Sequence, residues 1–353
     1  MNSILITGGC GFIGSNLAVE LAAHGYRVTV LDNLMRRGSE ILLQRLLEHG
    51  IVFRHGDIRN SEDLERVQGA FDVLIECSAE PSVLVGSQGA DARFLLNNNL
   101  AGSLNCFEWA RQRGAGILFL STSRVYPYGA INGCQFQEAA TRFEFVSGPA
   151  GISERGLDTH FSLDGARSLY GASKLAAEVI LQEYSQQYAL PALINRCGVI
   201  AGPWQLGKVD QGVFMYWLAQ HYFGRPLKYI GFGGAGKQVR DVLHIRDLTA
   251  LVLKQLDRLP ACRGEVYNVG GAQAANLSLC ELTAVCAELT GRSLPIGSEA
   301  VTRPADVIWY VTDNTKVEAA FDWRPASSAP MIMHDMLVWL QAYEQDFRRV
   351  FGA

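Results

Sequence analysis

The sequence has no surplus of positive charge: 31 lysines and arginines face 35 acids, for a net charge of −4. A general nucleic-acid binder needs a basic surface, so that class is excluded, while a local basic patch for a phosphorylated small molecule stays open. Metal-binding spacings are missing as well. The eight cysteines, at 10, 77, 106, 134, 197, 262, 280 and 286, form no C-x-x-C and no Cys/His cluster. No metal is therefore expected, and free thiols in a reducing cytoplasm are the plain reading. No apolar run is long enough to span a bilayer. Met1-Asn2-Ser3 places no basic residue ahead of its apolar run, and glycines break that run within a few residues. A strand is expected there, not a secretory leader, and the expected location is cytoplasmic. Internal repeats and low-complexity tracts are also lacking.

What is present is material for a core. Apolar residues make up 48% of the 353 positions and charged residues only 19%, enough for one large domain or two ordinary ones. The apolar runs 4–6, 26–31, 51–53, 71–77, 117–120 and 192–195 read as strands. Between them, 12–24, 99–113 and 169–188 carry helical patterns, the first stopped by Gly25. Strands alternating with helices predict an α/β fold, a Rossmann-like, doubly wound parallel sheet over 1–195. Beyond 196 the pattern loosens into shorter helices at 212–223, 247–258, 278–290 and 330–348. A smaller mixed α/β substrate-binding domain is expected over 196–353, with part of 236–260 returning to the first. Residues 124–168 are polar and glycine-rich without clear periodicity, and are expected to form a long loop, functional or disordered.

In such sheets ligands gather at the carboxyl ends of the strands, which directs attention to Asp32, Asp57, Ser78 and Thr122. "LITGGCGFIGSN" (5–16) follows the first strand and opens the first helix. Gly9, Gly11 and Gly14 spell G-x-G-x-x-G; Gly8, Gly11 and Gly14 spell G-x-x-G-x-x-G. Either register would aim backbone N–H groups at a pyrophosphate without a Cβ in the way. Asp32 lies 18 residues after Gly14 (32 − 14), close to the spacing of a ribose-binding carboxylate. A carboxylate repels a 2′-phosphate, so NAD is the expected cofactor, although Arg36 and Arg37 follow closely. Asp57 could cap a helix or hydrogen-bond the adenine amino group.

"SLYGASK" (168–174) sets Tyr170 and Lys174 four apart, on one helix face. A phenol titrates near ~10 and needs help to act as a base at neutral pH. A lysine ammonium and a cationic nicotinamide ring would favour the phenolate. Alone, Y-x-x-x-K is an ordinary amphipathic pattern; its weight comes from following a dinucleotide loop. "LFLSTSRVY" (118–126) ends a strand in hydroxyls, one of which could hold a reacting oxygen or merely cap the turn.

The segments "ITGGCGFIGSNL", "LDN", "HGDIR", "STSRVY", "YGASK", "NR…GP" at 195–203, "GKQVRDVLHIRDL" at 236–248 and "YNVGG" at 267–271 run through nearly the whole chain. With them the chain resembles the extended short-chain dehydrogenase/reductases, in the NAD-dependent nucleotide-sugar epimerase/dehydratase family. The resemblance selects the register Thr7, Gly8, Gly11, Gly14. It implies catalysis by Thr122, with Ser123 as fallback, and by Tyr170 and Lys174. Cofactor contacts are implied for Gly8, Gly11, Phe12, Ile13, Gly14, Asp32, Asn33, Asp57, Ile58, Ser78, Ala79, Asn99 and Lys174. Asn99 would be structural or near the cofactor.

Within the family the chain resembles the branch of CDP-paratose (CDP-tyvelose) 2-epimerases. Leu31–Gly38, Asp210-Gln211-Gly212, Thr141-Arg142-Phe143, "GKQVRDVLH" and "NLSLCEL" carry this likeness, together with 48 positions (170 − 122) between Thr122 and Tyr170. It implies a nucleotide-diphosphate sugar as substrate, bound through Thr122, Gln211, Lys237, Arg240 and Arg303. Arginine suits bidentate phosphate binding, though Arg240 and Arg303 could equally be structural. Three features depart from the family. Glu76-Cys77-Ser78-Ala79-Glu80 replaces its H-x-A-A/G-Q, Pro127 interrupts its V-Y-G, and Ile200-Ala201-Gly202-Pro203 replaces its Y-G-P. Ser123-Arg124 stands where a 4,6-dehydratase carries two acids, which argues against that dehydration. Glu80 could be a proton-transfer group, a ribose ligand or a surface acid. Family members pair through two helices, here 99–113 and 169–188, so a homodimer is expected.

Overall fold

The structure is a computed structural model that describes residues 3–82, 91–206 and 212–351. The chain divides into two units. The first comprises Met1–Thr122, Leu169–Arg196 and Thr249–Tyr267, and the second Ser123–Ser168, Cys197–Leu248 and Asn268–Ala353.

The first unit is built on a seven-stranded sheet. Its strands are β1 (Ser3–Thr7), β2 (Arg27–Asp32), β3 (Val52–His55), β4 (Val73–Glu76), β5 (Gly116–Thr122), β6 (Ala192–Cys197) and β7 (Arg263–Val269). Their order is β7-β6-β5-β4-β1-β2-β3. The chain runs outward from β1 to β3, then returns to β4 on the other side of β1. Pairing is parallel from β5 through β4, β1 and β2 to β3. Every residue of β1, β4, β5 and β6 is buried, so both faces of the central strands must be covered. On one face Leu5, Leu74, Ile117, Phe119 and Ile194 pack with Phe107, Trp109, Ala177 and Leu181 from two helices. The period-2 alternation of a strand produces this sorting.

The helices that serve this sheet are α1 (Phe12–Ala23), α2 (Ser39–Glu48), α3 (Ser61–Glu65), α4 (Ala92–Leu96), α5 (Gly102–Arg113), α6 (Leu169–Tyr188) and α7 (Ile245–Arg258). The helical run expected over 99–113 starts earlier than its pattern suggests. It enters as α4 and passes through one π turn at Asn97–Ala101 before α5. Gly25, at φ +87°, follows α1 as expected.

In the second unit, Val199–Ala201, Val239–His244, Asn276–Ser278 and Trp309–Tyr310 form a four-stranded sheet. Helices Val213–Phe223, Leu279–Thr290 and Ala329–Ala342 share an apolar core through Trp217, Leu218, Leu282, Ile332 and Met336. The helix expected over 330–348 is two, because Tyr343 leaves helical geometry after Ala329–Ala342 and a second helix spans Glu344–Phe351. The expected long loop 124–168 is largely ordered structure. It holds a short helix, Tyr128–Asn132, and two antiparallel hairpins, Gln135–Glu138 with Phe143–Ser147 and Ile152–Ser153 with Gly156–Leu157. Strands this short are anchored by long-range contacts, such as Phe145 stacked on Trp309 at 5.6 Å, and leave little periodicity to read.

Candidate active site

The glycine loop sits where β1 ends and α1 begins. Gly8 adopts φ +66°, and a Cβ there would lie 2.9 Å from the Ser78 backbone. A Cβ on Gly14 would lie 2.3 Å from the Gly8 carbonyl. The loop is thus closed on itself and against the residues after β4, with no space for a side chain at Gly8 or Gly14. The Gly11 N–H donates to the Gly8 carbonyl at 3.0 Å. No acid stands in the first turn of α1 and no side chain caps it, so its leading N–H groups and partial positive charge remain for an anion.

Asp32 closes β2 beside this loop. Its carboxylate accepts from the Cys10 N–H at 3.0 Å and the Leu34 N–H at 2.8 Å. Burial pushes this carboxyl up, while those two N–H groups pull it back. Cys10 is fully buried, and burial together with Asp32 pushes its thiol up, which removes thiolate chemistry at neutral pH. The Asn33 side-chain amide donates to Asp57 at 2.9 Å, joining the ends of β2 and β3. Asp57 caps no helix: Asn60 precedes α3, and Asp57 instead binds Arg59 through its backbone N–H and its guanidinium. Burial pushes the Asp57 carboxyl up, but these bonds outweigh it and hold it at about 2. Asn99 is fully buried in the π turn. It clamps the Glu80 backbone from both sides, accepting from its N–H at 2.8 Å and donating to its carbonyl at 3.0 Å. The Glu80 side chain accepts from the Ser82 N–H at 3.3 Å.

Thr122 is the last residue of β5, and Tyr170 and Lys174 lie on the first turns of α6; all three are buried. Lys174 is only 1% exposed. Its ammonium lies 3.4 Å from Glu76 Oε2 at the end of β4 and 4.3 Å from the centre of the Phe119 ring. One turn on, Glu178 accepts from the Arg196 guanidinium at 2.7 Å and from the Ser121 hydroxyl. Glu178 had no place in the sequence reading, and Arg196 entered it only within "NR…GP". The i, i+4, i+8 spacing of Tyr170, Lys174 and Glu178 was the available signal.

In the second unit a pocket is lined by Arg124, Arg167, Arg240, Tyr128 and Tyr310, among others. Arg240 and Asp241 are neighbours on one strand and face opposite ways, as alternation requires. Arg240 reaches Asp306 at 2.6 Å, whereas Asp241 accepts from the Ala272 and Thr312 N–H groups. Burial pulls Arg240 down to about 10, with Asp306 opposing and Arg124 adding to the effect, so it remains a cation at neutral pH. Arg124 entered the sequence reading only as a non-acidic position, and Arg167 not at all. The Lys237 ammonium pairs with Glu138 at 2.8 Å. Arg303 is not among the residues lining this pocket, and Gln211 lies outside the described residues.

A dinucleotide loop followed by a buried Tyr/Lys pair has known relatives. The family described as Epimerase, NAD dependent epimerase/dehydratase family, matches residues 4–270. The chain belongs to this family. It is 32% identical to a CDP-paratose 2-epimerase of Salmonella typhi over 348 residues, 95% of this chain and 98% of that protein. A UDP-glucose 4-epimerase of Erwinia amylovora is 26% identical, covering 96% of this chain and 97% of that protein. Among solved structures, the UDP-glucose 4-epimerase of Thermus thermophilus in complex with NAD superposes with a TM-score of 0.76 at 27% identity. That match covers 96% of this chain and 99% of that one.

The protein is thus an NAD-dependent nucleotide-sugar epimerase/dehydratase. The residues present fit the cofactor. The glycine cradle a Cβ would fill and the uncapped start of α1 suit a pyrophosphate, and Asp32 keeps acceptor capacity for a ribose hydroxyl. Among the described residues no group of three His, Cys, Asp or Glu is placed to hold a metal ion, and no helix is long and apolar enough to cross a membrane.

Proposed function

We propose that this enzyme inverts a carbon of a CDP-linked deoxysugar, as a CDP-paratose/CDP-tyvelose 2-epimerase does. The buried Tyr170/Lys174 pair carries the chemistry of this reading. The relative matched over 95% of the chain supports the choice of substrate.

Gly8, Gly11, Phe12, Ile13 and Gly14 would hold the pyrophosphate, and Asp32 and Asn33 the adenosine ribose. Asp57 and Ile58 would border the adenine, and Ser78, Ala79 and Asn99 the middle of the dinucleotide. NAD, when bound, supplies a hydride acceptor that can later act as donor at the same carbon. Tyr170, as phenolate, takes the proton from the sugar hydroxyl at that carbon. The oxygen becomes a carbonyl, held by a hydrogen bond from the Thr122 hydroxyl. After the keto-sugar has turned, Tyr170 returns the proton to the oxygen, so the reaction has no net redox change. Lys174 would hold the nicotinamide ribose and favour the phenolate through its charge. Arg240, aided by Arg124 and Arg167, would bind the diphosphate by charge and geometry, with Gln211, Lys237 and Arg303 as further contacts.

The test is a panel of CDP-, UDP-, GDP- and dTDP-sugars with product analysis by NMR. The proposal expects interconversion of CDP-paratose and CDP-tyvelose without added NADH. Turnover of UDP-glucose in place of the CDP-sugars would move the enzyme to the 4-epimerases. Consumption of added NADH would make it a reductase. Elimination of water would make it a dehydratase, against which Ser123 and Arg124 already stand.

A further inference from the structure

Glu76 is a deeply buried charge-bearing side chain near the catalytic helix that the mechanism does not use. It is 0% exposed. Its register partners in the sheet are Thr7 on β1 and Phe119 on β5, neither of which carries charge. From α5 it meets the Ser103 hydroxyl, 3.5 Å from Oε2, and the Cys106 thiol, which burial and Glu76 itself push up and so keep neutral. Oε1 meets no donor in full hydrogen-bond geometry among the described residues, although the Ser78 N–H also draws the carboxyl down. Among the described residues, the cation that faces this carboxylate is Lys174, with Nζ at 3.4 Å. Glu178, one turn further along α6, is occupied by Arg196.

We propose that Glu76 is a positioning residue for catalysis, the buried counter-ion that fixes the Lys174 ammonium and sets how strongly that cation favours the Tyr170 phenolate. This rests on the roles proposed above for Tyr170 and Lys174.

A lone carboxylate or a lone ammonium at this depth costs stability, and the two together cost less than either alone. Burial pushes the Glu76 carboxyl up and Lys174 draws it back. The lysine side chain is long and flexible, yet it is held between a carboxylate and the Phe119 ring face. An ammonium has three N–H donors. Glu76 takes one, which leaves donors for a ribose and for the approach to Tyr170. Lys174 therefore serves two anions, Glu76 and the Tyr170 phenolate. A like charge near a phenol disfavours its ionisation, so Glu76 opposes part of the effect of Lys174.

Two measurements on the NAD-containing enzyme test this. In the first, unfolding is compared for wild type, E76Q, K174M and the double variant E76Q/K174M. The proposal expects each single variant to be destabilised and the double variant to be more stable than either, because neither charge is left alone. Additive losses overturn it. This readout needs no substrate, so it stands even if the assignment of CDP-sugars fails. In the second, the acid limb of kcat/KM for CDP-paratose is followed against pH. With the opposing charge removed, the E76Q limb shifts down by about one unit, while E76D, which keeps the charge, stays near wild type. An E76Q limb that remains in place or rises overturns the proposal.

Discussion

At the scale of single residues, the account rests on Tyr170 as the group that carries the proton. Tyr170→Phe keeps the ring and loses only the hydroxyl, so it should fold and retain NAD. Its turnover should fall by about 10²–10⁴-fold, the usual worth of one general base; unaltered turnover would relocate the base. Asp57 gives a prediction of a different kind. Its carboxyl is held at about 2 by Arg59 and Asn33, below the ordinary carboxylate value. The stability it contributes is therefore complete above about pH 4 and is lost as pH falls toward 2. Asp57→Asn should cost about 1–2 kcal/mol at neutral pH. It should also flatten the fall in unfolding free energy below about pH 4, measured by denaturant titration across that range. An unchanged acid slope would mean that the Arg59 contact contributes nothing.

At the scale of elements, the loop between β1 and α1 and the pair across α6 and β6 can be tested separately. Gly14→Ala places a Cβ 2.3 Å from the Gly8 carbonyl, a clash that only a moved loop relieves. The purified variant should carry little NAD, and added NAD should no longer raise its unfolding temperature. Arg196→Met leaves the Glu178 carboxylate, 1% exposed, without its guanidinium. The expected loss is about 3–5 kcal/mol in denaturant unfolding. These elements also show how far the sequence could be read. The central strands were legible because both of their faces are buried, which keeps the runs 4–6, 71–77, 117–120 and 192–195 mostly apolar, with Asp72, Glu76 and Asn195 as their polar positions. Strand β7 was not, since Arg263, Glu265 and Asn268 interrupt its run. Helix α2 was missed because its apolar residues adjoin Arg36 and Arg37, which drew attention to the turn. Tyr170 and Lys174 were legible by spacing within one helix. Glu76 stood out only as a departure from the family's pattern. Its pairing with Lys174 spans 98 positions, and local sequence carries no trace of such a contact.

At the scale of the whole molecule, the chain leaves the first unit after Thr122 and re-enters it at Leu169, so these two of its five crossings fall beside the proposed catalytic residues Thr122 and Tyr170. The same helices proposed to support catalysis are proposed to pair two subunits. Leu96, Val179 and Tyr188 are exposed apolar residues on α4 and α6, and sedimentation should return twice the 38.7 kDa chain mass. A monomer would contradict this pairing without touching the chemistry. The central claim is that the hydrogen removed from the inverted carbon returns to that carbon and never exchanges with water. CDP-paratose deuterated at C2, incubated with the enzyme in ordinary water, tests it most directly. The account predicts CDP-tyvelose with the deuterium still at C2; product carrying ordinary hydrogen there would contradict it and point to enolisation.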